Sequence, residues 1–189
     1  MKPLLTLAES TFTKSRPDCP HPGRWHAVDD QSTEVEVTAL VAAMVTALQP
    51  DFVIETGSGI GGTTEAIGNA LRANGQGDLV SLEVDPERIA VARARCRDLP
   101  VTILQMSSMD YTPDRLIDFA FFDSLARLRA LEFERYLPWM HSRTVVGFHD
   151  TGPHHPMRGY LLPLEQRGLL VSSLYLPTPR GVMFSRVGI

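Results

Sequence analysis

Lysine, cysteine and long apolar runs are scarce in this chain of 189 residues. Only two of its 18 basic residues are lysines, and both of these, Lys2 and Lys14, precede the segment that we expect to form the folded core. Lysine-dependent chemistry is therefore excluded from most of the chain. The two cysteines, Cys19 and Cys96, are too few for a disulfide framework. No apolar run is long enough to cross a bilayer, and the N-terminus lacks the pattern of a secretory signal, so we expect a cytoplasmic protein that does not enter a membrane.

The remaining composition is that of a folded, soluble domain. Hydrophobic residues make up 43% and charged residues 21% of the chain, which excludes a disordered or fibrous protein. Acidic residues outnumber basic ones by 22 to 18, so the formal net charge is −4 and a nucleic-acid partner is disfavoured. The length suits one domain and hardly two.

Short apolar runs and helical patterns alternate from residue 32 onward. A helix comes first, capped by Ser32 or Thr33 and carrying apolar residues at helical spacing up to Leu48. Five predicted strands follow, with helical patterns between most of them, at residues 52–54, 79–82, 101–104, 119–122 and 144–148. Strands that alternate with helices predict a mostly parallel sheet with helices on both faces.

The C-terminal end has a different pattern. Residues 169–176 and 181–184 are two predicted strands joined by a proline-containing turn with no helix between them, which indicates a hairpin. We therefore predict an α/β fold, a single Rossmann-like, doubly wound domain at residues 32–189 with a mostly parallel seven-stranded sheet and a C-terminal antiparallel hairpin. Residues 1–31 are predicted to form an N-terminal loop that covers the site as a lid.

A glycine-rich loop lies between the first predicted strand and the helix after it. Gly57, Gly59 and Gly62 satisfy the G-x-G-x-x-G pattern, whose glycines let the backbone turn tightly and approach a ligand. Glu83 ends the next strand, where an acid can accept hydrogen bonds from two ribose hydroxyls. Loop, helix and acid together predict a site for an adenosine-containing ligand.

The class of that ligand depends on the residue before the glycines. Glu55 suits a cationic ligand, whereas a nicotinamide site normally has a small or apolar residue there. A short-chain dehydrogenase would also need a Tyr-x-x-x-Lys pair, and no lysine follows the loop. An NAD-dependent oxidoreductase is therefore a minority interpretation, beside a non-catalytic module that binds an adenosine nucleotide.

The segment from Val53 to Thr64 resembles the first motif of class I S-adenosylmethionine-dependent methyltransferases. More narrowly, the chain is similar to small-molecule O-methyltransferases of the catechol and bacterial sugar types, including those of methylmannose polysaccharide assembly. The resemblance covers roughly residues 31–187 and implies homodimerisation as well as the cofactor S-adenosylmethionine. The cofactor residues that it implies are Glu55, Gly57, Ser58, Gly59, Gly61, Thr63, Glu83, Ser108, Asp110 and Asp123.

Two acids lie at the ends of predicted neighbouring strands. Asp123 follows the fourth strand and Asp150 the fifth, so their carboxylates could converge on one hard divalent cation. Alternatively, Asp123 caps the next helix and Asp150 is a turn residue. In the similar O-methyltransferases the matching aspartates bind Mg²⁺, which implies a metal site here with Thr151 as a further ligand.

The chain departs from the catechol enzymes at the predicted base. Their first metal aspartate begins an Asp-x-x-Lys segment whose lysine is the base, but here Ala126 stands in place of that lysine. Their second metal aspartate precedes an asparagine, here replaced by Thr151. We therefore predict His149 as the base, acting with Asp123 and Asp150 as the catalytic residues. Because adjacent strand residues point to opposite faces, His149 could instead be packed beneath the site.

The acceptor is predicted from a few polar and aromatic residues. Trp25 could stack on a sugar or aromatic ring, with His26 and His154 near the same pocket, or Trp25 could simply hold the loop on the core. A hydroxyl of a saccharide or glycosylated metabolite is the first prediction, and a phenolic metabolite the second.

Overall fold

The computed structural model describes residues 11–12, 20–29 and 31–189. Most of the predicted N-terminal lid therefore lies outside the described residues. Nine strands are described, namely β1 (Thr11–Phe12), β2 (His26–Ala27), β3 (Phe52–Thr56), β4 (Asp78–Glu83), β5 (Val101–Gln105), β6 (Ile117–Phe122), β7 (Met140–His149), β8 (Leu170–Leu176) and β9 (Val182–Val187). Five α-helices are described, namely α1 (Val35–Leu48), α2 (Gly62–Asn74), α3 (Pro86–Arg95), α4 (Ala126–Tyr136) and α5 (Met157–Gln166).

Seven of the strands form one sheet in the order β5-β4-β3-β6-β7-β9-β8. The first five strands in this order pair in parallel, and β9 pairs antiparallel with both β7 and β8. This confirms the predicted mostly parallel seven-stranded sheet with a C-terminal antiparallel hairpin. The strand order reverses between β3 and β6, and open α/β sheets bind ligands at such a reversal.

Apolar side chains pack on both faces of the sheet. On one face, Val37, Val41 and Val45 of α1 pack with residues of α2 and the central strands. On the other face, an aromatic group joins α4 to the sheet: the rings of Phe122 and Phe148 stack with centroids 4.9 Å apart, and Phe133 contacts both edge to face. This aromatic group fixes α4 against the ends of β6 and β7.

Three local features differ from the sequence prediction. The first helix begins at Val35, and its N-cap residue Glu34 makes no side-chain cap, because its carboxylate is bound elsewhere. Strand β7 begins at Met140, four residues before the predicted start. Helix α5 was not predicted, since Pro163 interrupts its pattern.

No helix in the described ranges is long and apolar enough to span a membrane.

Truncation of a ring in this aromatic group should cause a large loss of stability. We expect Phe133→Ala to lower the free energy of unfolding by about 3–5 kcal/mol, because it removes a buried ring and leaves a cavity. Leu131→Ala, on the same helix at a side chain that is 49% exposed, should change it by no more than about 0.5 kcal/mol. Urea unfolding of both variants measures the difference, and equal losses would contradict the described packing of α4.

Candidate functional site

A cavity of about 910 Å³ opens at the carboxyl ends of β3, β4 and β6. Its volume lies within the range of small-molecule sites. The glycine loop and Glu83 form one part of its wall, and the acids Asp123 and Asp150 form another. The described part of the N-terminal segment contributes Val28, Asp29 and residues 31–33.

The glycine loop leaves room for a ligand. Gly59 and Gly62 both line the cavity, and no atom lies within 4 Å of the place that a Cβ on either would occupy. At Gly57 a side chain is excluded by the protein itself, because a Cβ there would lie 2.6 Å from the backbone oxygen of Asp123. Helix α2 then begins without a side-chain cap, so its first N–H groups can bind an anionic group such as a carboxylate.

Glu83 holds the glycine loop at the cavity wall. One carboxylate oxygen accepts a hydrogen bond from Gly59 N at 2.9 Å, and the other accepts from Val84 N at 2.8 Å and Asp85 N at 3.1 Å. A carboxylate has about four acceptor sites, so capacity remains for a hydroxyl of a ligand in the cavity. The loop and Glu83 therefore fit a ribose with an attached anionic group.

Glu55 lies beneath the loop and does not line the cavity. It is almost fully buried, and its Oε2 accepts hydrogen bonds from Thr64 Oγ1 and Ser81 Oγ, both at 2.6 Å. Burial raises the pKa of Glu55 to about 7. In this position Glu55 supports the loop from below, whereas the resemblance implied contact with the cofactor.

The other predicted cofactor residues also divide into those that line the cavity and those that do not. Thr63 and Ser58 line the cavity, whereas Gly61 does not and packs instead against the backbone of Ala92. Ser108 also lines the cavity, but Asp110 is exposed and does not.

Glu132 binds side chains at or just after the ends of three strands beside the cavity. Its buried carboxylate accepts hydrogen bonds from three hydroxyls, those of Thr56 at 2.9 Å, Ser124 at 2.6 Å and Ser108. These hydroxyls follow or end β3, β6 and β5. Glu132 thus ties the end of β3 and two loops of the cavity wall, those after β5 and β6, to α4.

The two acids at the ends of β6 and β7 meet at one arginine. Arg129 Nη2 lies 2.9 Å from Asp123 Oδ1 and 3.0 Å from Asp150 Oδ2. Arg180 binds Asp150 as well, through Nε at 2.7 Å and Nη2 at 3.1 Å. Thr33 donates its hydroxyl to Asp123 Oδ2 at 2.5 Å.

His149 lies behind these acids and outside the cavity wall. Its Nδ1 is 3.1 Å from Asp123 Oδ1 and its Nε2 is 2.6 Å from Glu34 Oε2, and the ring is fully buried. Burial lowers the pKa of His149, but the neighbouring carboxylates outweigh this effect and raise it to about 9. Both ring nitrogens of His149 are therefore bound, and the ring does not line the cavity. This position agrees with the alternative prediction, in which His149 is packed beneath the site.

The predicted metal site does not fit these contacts. Asp123, His149 and Asp150 do bring ligand atoms within 4.8 Å of one another. However, one oxygen of Asp150 already accepts a hydrogen bond from Arg129 Nη2, which also lies 2.9 Å from Asp123 Oδ1. Burial raises the pKa of Asp150, but His149, Arg129 and Arg180 outweigh this effect and hold it well below its usual range. Thr151 Oγ1 is buried without a hydrogen-bond partner, and Thr151 does not line the cavity.

The predicted acceptor residues lie away from the cavity wall. Trp25 packs against the apolar cluster beneath α1. This agrees with the alternative prediction, in which Trp25 holds the loop on the core. His26 bonds to Glu36 through its backbone N at 3.0 Å and its Nδ1 at 2.8 Å, and His154 is exposed.

Four charged residues of the site were not predicted from the sequence: Glu34, Arg129, Glu132 and Arg180. A signal existed for two of them, because Arg129 and Glu132 share one face of α4 with the buried Phe133 and Tyr136. Charged residues at apolar spacing indicate a buried polar network. No comparable pattern marks Glu34 or Arg180.

Comparison with known proteins places this geometry among methyltransferases. A family model described as a methyltransferase domain matches residues 54–151, which is more than half of the chain. No curated protein sequence matches significantly.

Solved structures have the same fold. The SAH-bound methyltransferase PaMTH1 of Podospora anserina is 15% identical with a TM-score of 0.72, over 84% of this chain and 80% of that one. The O-methyltransferase TomG of Streptomyces achromogenes, solved with SAM and involved in tomaymycin synthesis, is 17% identical with a TM-score of 0.70, over 86% and 84%. An O-methyltransferase of Bacillus cereus in complex with SAH is 16% identical with a TM-score of 0.70, over 84% of each chain.

The open space at Gly59 predicts a selective loss of binding. Gly59 and Gly75 both have a positive φ and nothing within 4 Å of a built Cβ, but only Gly59 lines the cavity. We expect Gly59→Ala and Gly75→Ala to cost similar free energies of unfolding, about 1 kcal/mol each. Only Gly59→Ala should weaken binding of S-adenosylhomocysteine, by roughly tenfold or more, as measured by calorimetry. Equal affinities of the two variants would exclude the loop as a cofactor site.

The pKa of Glu55 predicts a pH dependence of stability. The folded value of about 7 exceeds the model-peptide value of 4.5, so the native state retains a proton that the unfolded chain releases. The stability that this proton contributes is complete below pH 4.5 and is lost as the pH rises through about 7. Glu55→Gln removes the titration. We therefore expect the stability of the variant relative to wild type to rise between these pH values and then level off, as urea unfolding at several pH values would measure.

Proposed function

The chain belongs to the methyltransferase-domain family, and from that premise we propose that it transfers a methyl group from S-adenosylmethionine to a hydroxyl of a small molecule. One observation carries the proposal: a single cavity is bounded by the glycine loop with Glu83 and by the carboxylates of Asp123 and Asp150. A cofactor at the first part and an acceptor at the second would share one continuous space.

The first part of the cavity would hold the cofactor. Glu83 would accept the ribose hydroxyls, the N-terminus of α2 with Thr63 would bind the carboxylate of the methionine portion, and Ser108 would lie beside the adenine. When bound, S-adenosylmethionine supplies an electrophilic sulfonium methyl group. The space at Gly59 and Gly62 supports this assignment, because side chains there would occupy the volume of the ligand.

The second part would orient the acceptor. Asp123 lines the cavity and its Oδ2 accepts the hydroxyl of Thr33, so this carboxylate could accept a hydrogen bond from an acceptor hydroxyl in the same way. Most of the acceleration would then come from holding that oxygen in line with the methyl group while the surrounding segment excludes water.

An acceptor whose hydroxyl ionises readily suits this site best. His149 has no free nitrogen to act as base, and the pKa of Asp123 is lowered because His149 and Arg129 outweigh its burial, so neither is a strong base. A phenol ionises near the value of a tyrosine side chain, about pH 10, whereas an aliphatic sugar hydroxyl is far less acidic. The apolar Val28, Val35 and Leu125 of the wall are also suited to a ring. A phenolic metabolite is therefore our first choice of acceptor, and a saccharide the second.

Homodimerisation, which the family resemblance implies, remains a prediction that sedimentation of the purified chain would test.

Asp123→Asn tests the role of the acceptor carboxylate. The variant keeps the shape of the side chain but weakens its hydrogen-bond acceptance, so we expect kcat to fall by about 10²-fold with phenolic acceptors. The affinity for S-adenosylhomocysteine, measured by calorimetry, should change by less than about threefold, because that ligand would lie on the glycine loop.

The control removes a charge elsewhere. Asp98 is exposed and does not line the cavity, so Asp98→Asn should leave both quantities unchanged. A chain whose melting temperature rises with NADH but not with S-adenosylhomocysteine would contradict the proposed methyl transfer itself.

A further inference from the structure

The guanidinium of Arg129 occupies the place between the two strand-end carboxylates. Its Nη2 is nearly equidistant from one oxygen of Asp123 and one of Asp150, at 2.9 and 3.0 Å. A cation bound by these same two oxygens would have to lie at that point. The position is therefore filled by a group that belongs to the chain.

Arg129 is held there by its remaining nitrogens. Nε donates to the backbone oxygen of Ser124 at 2.8 Å, and Nη1 donates to the backbone oxygen of His149 at 2.6 Å. The side chain is 4% exposed. Ser124 follows β6 and His149 ends β7, so one guanidinium bonds to both strand ends and to both carboxylates.

The charges around this guanidinium already balance. Both ring nitrogens of His149 face carboxylate oxygens, Nδ1 that of Asp123 and Nε2 that of Glu34, so the histidine is also bound within this group. Arg129 and Arg180 already supply two positive charges against the two carboxylates of Asp123 and Asp150. A divalent ion would add two charges to a buried group with no net charge, and burying uncompensated charge is costly.

We propose that Arg129 takes the place of a divalent metal ion at the acceptor part of the cavity, so that the chain works without a metal and Arg129 is the residue that positions Asp123. This inference rests on the proposed methyl transfer for its functional meaning. Whether the chain binds a metal ion can be measured without an activity assay.

Direct metal binding is the first test. Electron paramagnetic resonance of Mn²⁺ with the wild-type chain should show no bound ion, and neither EDTA nor Mg²⁺ should shift the melting temperature or the turnover of S-adenosylmethionine. Arg129→Met leaves Asp123 and Asp150 facing each other without their shared cation. We expect this variant to bind Mn²⁺ with a dissociation constant in roughly the millimolar range and to gain melting temperature with Mg²⁺.

Arg127→Met is the matched control. Arg127 is exposed on the same helix, so its loss removes the same charge without touching the acids, and the variant should bind no Mn²⁺. Adding Asp123→Asn to Arg129→Met should abolish the gained binding. If Arg129→Met does not fold alone, refolding with Mn²⁺ but not with KCl gives the same support.

Two results would overturn the proposal. One is a wild-type chain that binds Mn²⁺ and loses this binding on Asp123→Asn. The other is an Arg129→Met variant that neither binds Mn²⁺ nor refolds with it. S-adenosylhomocysteine added to the wild-type sample tests the methyltransferase assignment separately, because its effect on the melting temperature does not depend on the outcome with Mn²⁺.

Discussion

The ion cluster of Asp123, Asp150 and Arg129 joins the parts of the fold that form the cavity. Asp123 follows β6, Asp150 follows β7, and Arg129 belongs to α4. Arg180 adds the turn between β8 and β9, and it also donates to the backbone oxygen of Ser32 at 2.9 Å. Arg129 and Asp150 are buried and Asp123 is nearly so, and removing one partner therefore leaves another uncompensated, at a cost of about 3–5 kcal/mol in comparable buried pairs. The shape of the acceptor part of the cavity therefore depends on these ion pairs.

Two further buried carboxylates hold the cofactor part of the cavity. Glu55 accepts two hydroxyls beneath the glycine loop, and Glu132 accepts three behind the loops after β3, β5 and β6. Neither lines the cavity. Glu132 binds Ser108 and Ser124, which do line it, and Glu55 binds Thr64 and Ser81, which are adjacent in sequence to the lining residues Thr63 and Leu82. A ligand would thus meet a wall already held in place, and the conformational cost of binding would be smaller.

The sequence predicted the fold well because its signals are local. Apolar runs, the G-x-G-x-x-G loop and the turn after residue 176 each lie within a few residues, and the adjacency of the fourth and fifth predicted strands then followed from general rules. The convergence of Asp123 and Asp150 followed from the same rules. The rules for strands could not predict that the guanidinium of Arg129 lies between these two acids, because Arg129 lies six residues beyond Asp123, on a helix. The rotation of that helix depends on how Phe133 packs against the sheet.

Long-range partners explain the remaining errors. Glu34 reaches His149 across 115 positions, and Arg180 reaches Asp150 across 30. An isolated histidine after a strand looks available as a base, since nothing near it in the sequence indicates that both nitrogens will be bound. The same holds for Trp25, whose packing against the cluster beneath α1 depends on where the N-terminal segment crosses the helix.

A fixed guanidinium differs from a metal ion in what it can do for a reaction. A metal can exchange a water for a substrate oxygen and lower the pKa of that oxygen directly. Arg129 has no open coordination position: three of its five hydrogens are donated to oxygens of Ser124, His149 and Asp150, and Nη2 also lies 2.9 Å from Asp123 Oδ1. It can fix the direction of Asp123 but cannot coordinate an acceptor oxygen directly as a metal ion does. Methyl transfer at such a site would therefore have to rely on positioning and on an acceptor that is acidic by itself.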